Sequence, residues 1–274
     1  MSNLEAKQNF DEVITALLDN NHPFPSHFLH AFSDISSENL NSLKKIWGKI
    51  NNQRRASLVA DLESLLEADT LLSFDDFSLF ALNDEDPAVR SNAIRLLWES
   101  EDPHLVPILI HLLCQDPSDL VRAAAASGLG KFIYLGELDE IPPLLLKEIE
   151  ENLLNTFNTS GNQEVQRRVL EALGYSSREE VKSLIEKAFQ EKDPRWLASA
   201  LFAMGRSADR QWESQISIMI NHRNDEVRAE AVRAAGELEL VNLRQALIEK
   251  ATDMEEVWDV RVASIWSLSQ LGGE

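Results

Sequence analysis

The sequence is poor in the residues that cross-link, kink or interrupt a chain. Its 274 residues include one cysteine, ten glycines and nine prolines. The lone Cys114 cannot form an internal disulfide, which excludes a disulfide-stapled secreted scaffold and fits a reducing compartment. Low glycine and proline content with 44% hydrophobic residues excludes fibrous and disordered chains, and it is enough for a sizeable core.

Positive charge is scarce as well. The chain has 26 Lys and Arg against 46 Asp and Glu, a formal charge of -20. Nucleic acids and anionic membranes attract basic surfaces, so we expect neither as a partner. The longest apolar stretch, residues 105–114, contains His111 and is too short to cross a bilayer. The first eleven residues lack the pattern of a signal peptide, and we expect a cytoplasmic protein.

What the sequence does contain is a repeat. Six copies of one segment begin with Asp or Glu. Each continues with an apolar position, Val in five of them, that Arg follows in most copies, and with small or apolar residues at helical spacing. The Val position is occupied by Val89, Val121, Val165, Trp196, Val227 and Val260. The spacings are 32, 44, 31, 31 and 33 residues, so only the second gap departs from the period. A period of this length is typical of stacked structural repeats.

Each copy has the pattern of an amphipathic α-helix, which we call a motif helix. Asp before Pro suits an N-cap and first turn, and the apolar and small residues fall on one face. The glycines at 130, 174, 205 and 236 either end these helices or allow close approach of a neighbour. Between the copies lie intervening helices, predicted at residues 105–115, 179–191, 211–222 and 243–252. No segment alternates like a strand, so we expect an all-α chain of helical hairpins.

The repeat is unevenly distributed along the chain. Residues 1–70 show helical patterns without a clear copy, and we interpret them as a degenerate helical cap. Residues 71–274 are predicted to form the repeat array, one continuous solenoid. The long gap from Phe132 to Gln163 contains Pro142 and Pro143 and is interpreted as a repeat with an extended first helix and a longer loop.

The copies resemble HEAT repeats, most closely the short HEAT-like repeats named after phycobilisome lyases. The shared pattern is Asp-Pro-x-Val-Arg-x-x-Ala-x-x-Ala-Leu-Gly, which is good in the five copies from Asp86 to Gly236 and weak before about residue 70. The resemblance implies an α-solenoid, a right-handed superhelix whose motif helices line a concave surface. It also implies a scaffold or adaptor, since most members of the family act so.

The arginine that follows the Val position has two interpretations. It either forms a row that binds a ligand or pairs with cap carboxylates of its own and neighbouring repeats, and we favour the second, an internal ladder. Gln166 and Leu197 stand in its place in two copies, so the ladder is expected to be interrupted there. The predicted caps and ladder residues are Asp86, Arg90, Asp116, Arg122, Asp193, Asp225, Arg228 and Arg261.

Known chemistries on this fold find little support in the residues. No His-Glu dipeptide is present for a di-iron hydroxylase, and no His and Cys spacing suggests zinc. An alkylpurine DNA glycosylase would need a basic concave face, whereas this chain has a net charge of -20. A bilin or other small-molecule lyase stays open because its repeat is similar, although no pocket with cations for propionates is evident. Without a nucleophile elbow or phosphate loop, we predict no catalytic residues, metal or cofactor.

A binding surface is therefore the leading hypothesis. Positions three and six after the Val are expected to face the concave side, where Trp and Arg are typical of interaction hot spots. For Trp266 an alternative is a cap, with Trp258, over the end of the array. An acidic chain favours a basic partner, so we expect a protein segment or helix of that charge. The predicted surface comprises Asn92, Arg95, Arg168, Glu171, Phe202, Glu230, Arg233 and Trp266.

Overall fold

The structure, a computed structural model, describes residues 3–272, with side chains from Phe10 onward. This part of the chain contains fifteen α-helices and four short 3-10 helices and no strand. The predicted all-α fold is confirmed. No described helix is both long enough and apolar enough to span a membrane.

The first helices form where the sequence has helical patterns without a clear copy. They are α1 (Asn3–Leu18), α2 (Ser37–Ile46), α3 (Asn52–Ala68) and α4 (Asp75–Ala81), with 3-10 helices at Ser26–Phe32 and Trp47–Lys49. Ser36 caps α2 and Asn51 caps α3 by accepting backbone N–H groups of the first turn.

The six copies of the motif each fold as an α-helix, as predicted. The motif helices are α5 (Pro87–Leu96), α7 (Asp119–Glu137), α9 (Gln163–Leu173), α11 (Pro194–Arg206), α13 (Asp225–Glu237) and α15 (Trp258–Gln270). Asp86 and Asp193 are N-caps that accept N–H groups of Ala88 and Arg195, and a proline follows each in the first turn.

Intervening helices connect the motif helices and also match their predicted positions. They are α6 (Leu105–Gln115), α8 (Pro143–Thr159), α10 (Glu179–Phe189), α12 (Glu213–Met219) and α14 (Arg244–Thr252), with 3-10 turns at Arg210–Trp212 and Val241–Leu243. The long second gap is explained by α8, which has 17 residues, together with a 19-residue α7.

The chain divides into two compact units. Unit 1 comprises Met1–Asp102 and Gln115–Gly128, and unit 2 comprises Pro103–Cys114 and Leu129–Glu274. In unit 1, α3 and α4 pack against α5, and an aromatic core joins Phe32, Phe77 and Trp47. In unit 2 each motif helix packs on the next, from α9 through α11 and α13 to α15. The boundary expected near residue 70 stays a prediction.

Small residues set the spacing of the motif helices in unit 2. A methyl group added to Gly174 would lie 2.7 Å from the Cα atom of Ala203, and one added to Gly205 would lie 3.0 Å from that of Ala234. Gly236 faces Ser267 in the same way, at 2.7 Å. None of these glycines has a left-handed backbone, so close approach between helices, rather than a turn, requires them.

Candidate functional site

Two of the predicted ladder arginines bind the carboxylate that precedes the next motif helix. In unit 1, Arg90 donates from Nε and Nη2 to Asp116, at 2.9 and 2.8 Å. In unit 2, Arg228 donates in the same bidentate way to Glu256. Each guanidinium also binds two carbonyl oxygens five and six residues before it. These arginines tie one repeat to the next and are occupied inside the protein.

A further arginine–carboxylate pair of this kind, not predicted from the sequence, lies in the N-terminal part of unit 1. Arg55 on α3 is buried, and its guanidinium lies 3.3 Å from Asp84 and 2.8 Å from Glu85. The indole N–H of Trp47 donates to the same Asp84 at 2.5 Å. Arg55 stands four residues after its cap Asn51, as Arg90 stands four after Asp86. This four-residue interval from cap to arginine is the sequence signal for the pair. The other positions of the motif are too degenerate around Arg55 for the copy to be recognised.

Other predicted ladder residues have different partners. Arg122 pairs with Asp119 of its own helix at 3.3 Å, and Arg261 donates to the Ala251 carbonyl at 3.4 Å and stacks on Trp258. Asp225 does not cap α13. Asn224 has the extended backbone of a cap and accepts from the Val227 N–H at 3.0 Å, so Asp225 is already inside the helix. The prediction for Asp225 as a cap was wrong.

The two copies without the arginine pair differently. The amide of Gln166 donates to the Phe157 carbonyl at 3.0 Å. Arg195 folds back on Asp193, its own cap, and holds the pKa of that carboxyl at about 2 through side-chain and backbone hydrogen bonds. Neither of these contacts is the cross-repeat carboxylate pair seen at Arg90 and Arg228.

The predicted surface is divided between the two units. Asn92 and Arg95 lie on α5 in unit 1, where Arg95 donates to Asn92 at 3.4 Å and lies 3.8 Å from Glu63. The other six lie on the motif helices of unit 2, and we call them the motif-helix ridge: Arg168, Glu171, Phe202, Glu230, Arg233 and Trp266.

Charges on the ridge are paired within it or with near neighbours. Arg168 donates to Glu171 at 2.7 Å and to Glu164 at 2.9 Å, three and four residues away on α9. The Ser199 hydroxyl on α11 donates to Glu171 at 2.6 Å, which links the two helices. Burial lowers the pKa of the adjacent Arg167, whose guanidinium also pairs with Glu164.

On α13, Glu230 stands three residues after the Val position, as Arg168 does on α9. Burial raises the pKa of its carboxyl, and the neighbouring Glu171 and Glu226 carboxylates add to this, while Arg233 opposes it. Glu230 and Arg233 form an ion pair one turn apart. The ridge therefore holds partly buried carboxylates, each with an arginine partner, rather than an open acidic patch.

Phe202 of the ridge belongs to an ordered stack of aromatic rings around one arginine. The Arg206 guanidinium lies 5.1 Å from the Phe202 ring centre and 5.6 Å from that of Tyr175, within cation-π range of both. Glu237 holds the same guanidinium at 2.5 Å. Tyr134 meets Tyr175 edge to face at 5.7 Å. We call Tyr134, Tyr175, Phe202, Arg206 and Glu237 the aromatic–arginine cluster.

Four members of this cluster were not predicted. Tyr175, Arg206 and Glu237 each stand ten residues after the Val position of consecutive copies, one helical turn beyond the positions considered. The same repeat arithmetic, applied to that turn, would have found these three, but not Tyr134. Phe202, Arg206 and Tyr175 are half-buried and Tyr134 is 49% exposed, so the cluster is accessible to a partner. Burial raises the pKa of Tyr175.

Trp266 lies apart from this cluster, on α15. It is 39% exposed and Trp258 is 71% exposed, and both belong to the same helix.

Groups that could perform chemistry are dispersed. Cys114 is half-buried, with its sulfur 3.6 Å from the Asn152 side-chain oxygen. Of the three histidines near the N-terminus, His22 binds Asp19 at 2.7 Å and His27 stacks on Phe28. Within residues 10–272, no group of three or more His, Cys, Asp or Glu side chains is placed to hold a metal ion.

Comparison with known structures gives distant likenesses. Human deoxyhypusine hydroxylase in complex with glycerol is 17% identical with a TM-score of 0.39, covering 98% of this chain and 97% of that one. Importin beta is 13% identical with a TM-score of 0.44, covering 97% of this chain and 41% of that one. A chain from the structure of Kap95p with RanGDP is 14% identical with a TM-score of 0.44, covering 98% and 38%. At this level the likenesses carry no chemistry over to this chain.

The sequence itself matches one family. No curated protein matches the chain. Residues 77–147 match the family described as HEAT repeats, which confirms the predicted resemblance, while closeness to the phycobilisome-lyase type stays a prediction. The matched segment runs from α4 to the start of α8 and includes the copies at Val89 and Val121. Residues 77–147 are therefore the part of the chain that matches HEAT repeats.

Proposed function

We propose that the chain is a non-enzymatic scaffold or adaptor that binds a protein partner on the motif-helix ridge, in the groove that the resemblance assigns to these helices. The observation that carries the proposal is the aromatic–arginine cluster. Phe202 and Tyr175 offer apolar surface on either side of an arginine already fixed by Glu237. Side chains ordered before binding lose little entropy when a partner packs against them. Aromatic residues and arginine also dominate interaction hot spots.

The proposed partner is a basic segment or helix. The ridge arginines are paired with ridge glutamates, so the ridge itself is close to neutral. The attraction comes from the whole chain, whose charge of -20 raises the association rate of a basic partner. Salt screens this attraction, so binding should weaken as ionic strength rises. Contacts with the cluster then set the dissociation rate.

Affinity capture followed by mass spectrometry of the intact complex tests the proposal. Wild type should recover a protein in stoichiometric amount whose bound segment is rich in Lys and Arg. Phe202→Ala should lower recovery about tenfold or more, because a central hot-spot aromatic contributes at least about 1.4 kcal/mol. The matched control is Ile218→Ala on α12, an apolar residue that is 69% exposed and outside the ridge.

Other outcomes would count against the proposal. Equal recovery by the Phe202→Ala and Ile218→Ala chains would remove the ridge as the binding surface. A coloured or mass-shifted small molecule on the purified chain, without a protein, would instead favour the lyase alternative. Melting temperatures of the variants within about 3 °C of wild type would show that loss of binding is not loss of fold.

A further inference from the structure

The last motif helix exposes positions that earlier motif helices bury. Two positions after the Val position, Ala198 and Ala229 are 5% exposed, whereas Val262 is 44% exposed. Five positions after it, the contrast is larger: Leu201 and Val232 are fully buried, and Ile265 is 59% exposed. In α11 and α13 these positions share a helix face with Gly205 and Gly236, which lie against Ala234 and Ser267 of the next motif helix. In the described part of the chain, α15 has no following helix.

This uncovered face of α15 is apolar. Trp258 is 71% exposed, and it lines up with Val262, Ile265 and Ser269 at intervals of four, three and four residues. That spacing places the four on one stripe of the helix, with Trp266 at its flank. A helix face that meets only water carries polar side chains. A stripe of large apolar side chains indicates an interface instead.

Charge restricts what can cover the stripe. The chain as a whole carries -20, so two copies repel each other over most of their surface. Helix α15 is an exception because it contains one acidic residue, Asp259, and one basic residue, Arg261. Its net charge is zero. The stripe is thus a surface on which two copies can meet without placing like charges in contact.

The stripe is also self-complementary. The spacing of four, three and four reads the same in both directions along the helix. An antiparallel pair of α15 helices about a two-fold axis would place Trp258 opposite Ser269 and Val262 opposite Ile265. The large Trp258 then faces the small Ser269, and Val262 faces Ile265, which is of similar size. Such matching of volumes is what close packing between helices requires.

The exposed area fits a reversible contact. Met254 and Val257, just before α15, add exposed apolar surface at 77% and 38%. With the two tryptophans, Val262 and Ile265, they expose on the order of 600 Å² per copy, somewhat below the roughly 800 Å² that each partner buries in a standard interface. From these observations we infer that a second copy of this chain covers the α15 stripe and forms a two-fold dimer of moderate affinity, on a surface that shares Trp266 with the motif-helix ridge.

Sedimentation velocity and light scattering of the full chain, from about 1 to about 200 µM, test this inference. Wild type should shift from 30.9 kDa toward twice that mass as concentration rises. Because dimerisation opposes charge repulsion, higher salt should strengthen it, whereas salt weakens binding of a basic partner. The two proposals can therefore fail separately.

Two aspartate substitutions locate the contact. Ile265→Asp should raise the dimer dissociation constant at least about tenfold, because it places two carboxylates at the centre of the contact. The control Ile218→Asp makes the same change at an isoleucine that is 69% exposed on α12, and it should dimerise like wild type. Both should melt near the wild-type temperature. A wild type that stays monomeric at about 200 µM overturns the inference, and so does an Ile265→Asp chain that dimerises normally.

Discussion

The guanidinium of Arg228 and the carboxylate of Glu256, 28 residues apart in sequence, form a bidentate ion pair that joins two repeats of unit 2. The two hydrogen bonds are 3.1 and 2.5 Å long. Lys250 and the Val257 N–H donate to the same carboxylate, at 3.1 and 3.0 Å. Both side chains of the pair are largely buried, at 15% and 6% exposure. The pair fixes the turn between α14 and α15 to the side of α13.

This pair makes part of the stability depend on pH. Burial alone would raise the pKa of Glu256, but the hydrogen bonds from Arg228, Val257 and Lys250 outweigh burial and lower it from 4.5 to about 2. A carboxyl with a lower pKa in the folded state stabilises the fold fully above its unfolded pKa. That contribution is lost as the pH falls from about 5 toward 2.

Glu256→Gln should therefore lower the free energy of unfolding by about 1–3 kcal/mol at pH 7. The difference from wild type should shrink as the pH falls toward 3, because the carboxyl of the unfolded chain then binds a proton while the folded one, with its pKa of about 2, stays largely ionised. Urea unfolding at a series of pH values measures it. The exposed neighbour Glu255→Gln serves as control and should change the free energy by less than about 0.5 kcal/mol. A difference that stays constant from pH 7 to pH 3 would contradict this role of Glu256.

Arg90 needs the forked shape of its guanidinium. It binds both oxygens of Asp116 and two carbonyl oxygens, and a lysine can only satisfy part of this set. Arg90→Lys is expected to cost about 1–3 kcal/mol of unfolding free energy by urea denaturation. Arg195→Lys is the control, since Arg195 is exposed and its ion pair is with Asp193, the cap of its own helix. Equal costs for the two changes would argue against a ladder.

Close approach of the motif helices predicts a large effect of one methyl group. In Gly174→Ala the new Cβ would lie 2.7 Å from the Cα of Ala203, so the helices must shift. We expect a loss of about 1–3 kcal/mol in unfolding free energy. Gly161→Ala, in a loop where nothing lies within 4 Å of the new group, should not destabilise the chain. If both variants melt alike, the packing described for α9 and α11 is wrong.

A turn residue offers a gain in stability. Ala208, between α11 and the following 3-10 turn, has a φ of 51°, a left-handed conformation that disfavours residues with a Cβ atom. Ala208→Gly should raise the unfolding free energy by about 0.5–1 kcal/mol because it relieves that strain. Ala60→Gly, inside α3, makes the same chemical change in a right-handed helix and should lower it by about the same amount. Thermal unfolding measures the change in stability of both variants, and the two changes should have opposite signs.

The fold was readable from the sequence because the same few signals occur in each repeat. Asp86 and Asp193 before proline mark helix starts, and apolar residues at helical spacing mark the buried faces. The ion pair of Arg55 with Asp84 could not be predicted from these signals. The repeat of Arg55 lacks the Asp-Pro start, and the pairing with Asp84 becomes evident only when α3 and α5 lie side by side.

The candidate site was predicted less completely than the fold. Helical spacing placed Arg168, Phe202 and Arg233 on one side of their helices, but it did not show that Arg206 crosses from α11 to Tyr175 and Glu237. Such contacts depend on how far one helix is shifted along the next. That shift is set by the close contacts of Gly174 and Gly205, which are properties of helix pairs rather than of single helices.

Hydroxyl-radical footprinting of the chain alone and in complex with its captured partner shows whether the partner covers the aromatic–arginine cluster, because it reports side-chain exposure residue by residue. If the partner binds there, Tyr134, Tyr175 and Phe202 react several-fold more slowly in the complex. Trp98 in unit 1 and Met219 on α12 should react at the same rate in both states. Unchanged reactivity of Tyr175 and Phe202, with protection at Met219 instead, would contradict binding at the cluster and move the binding surface to the intervening helices.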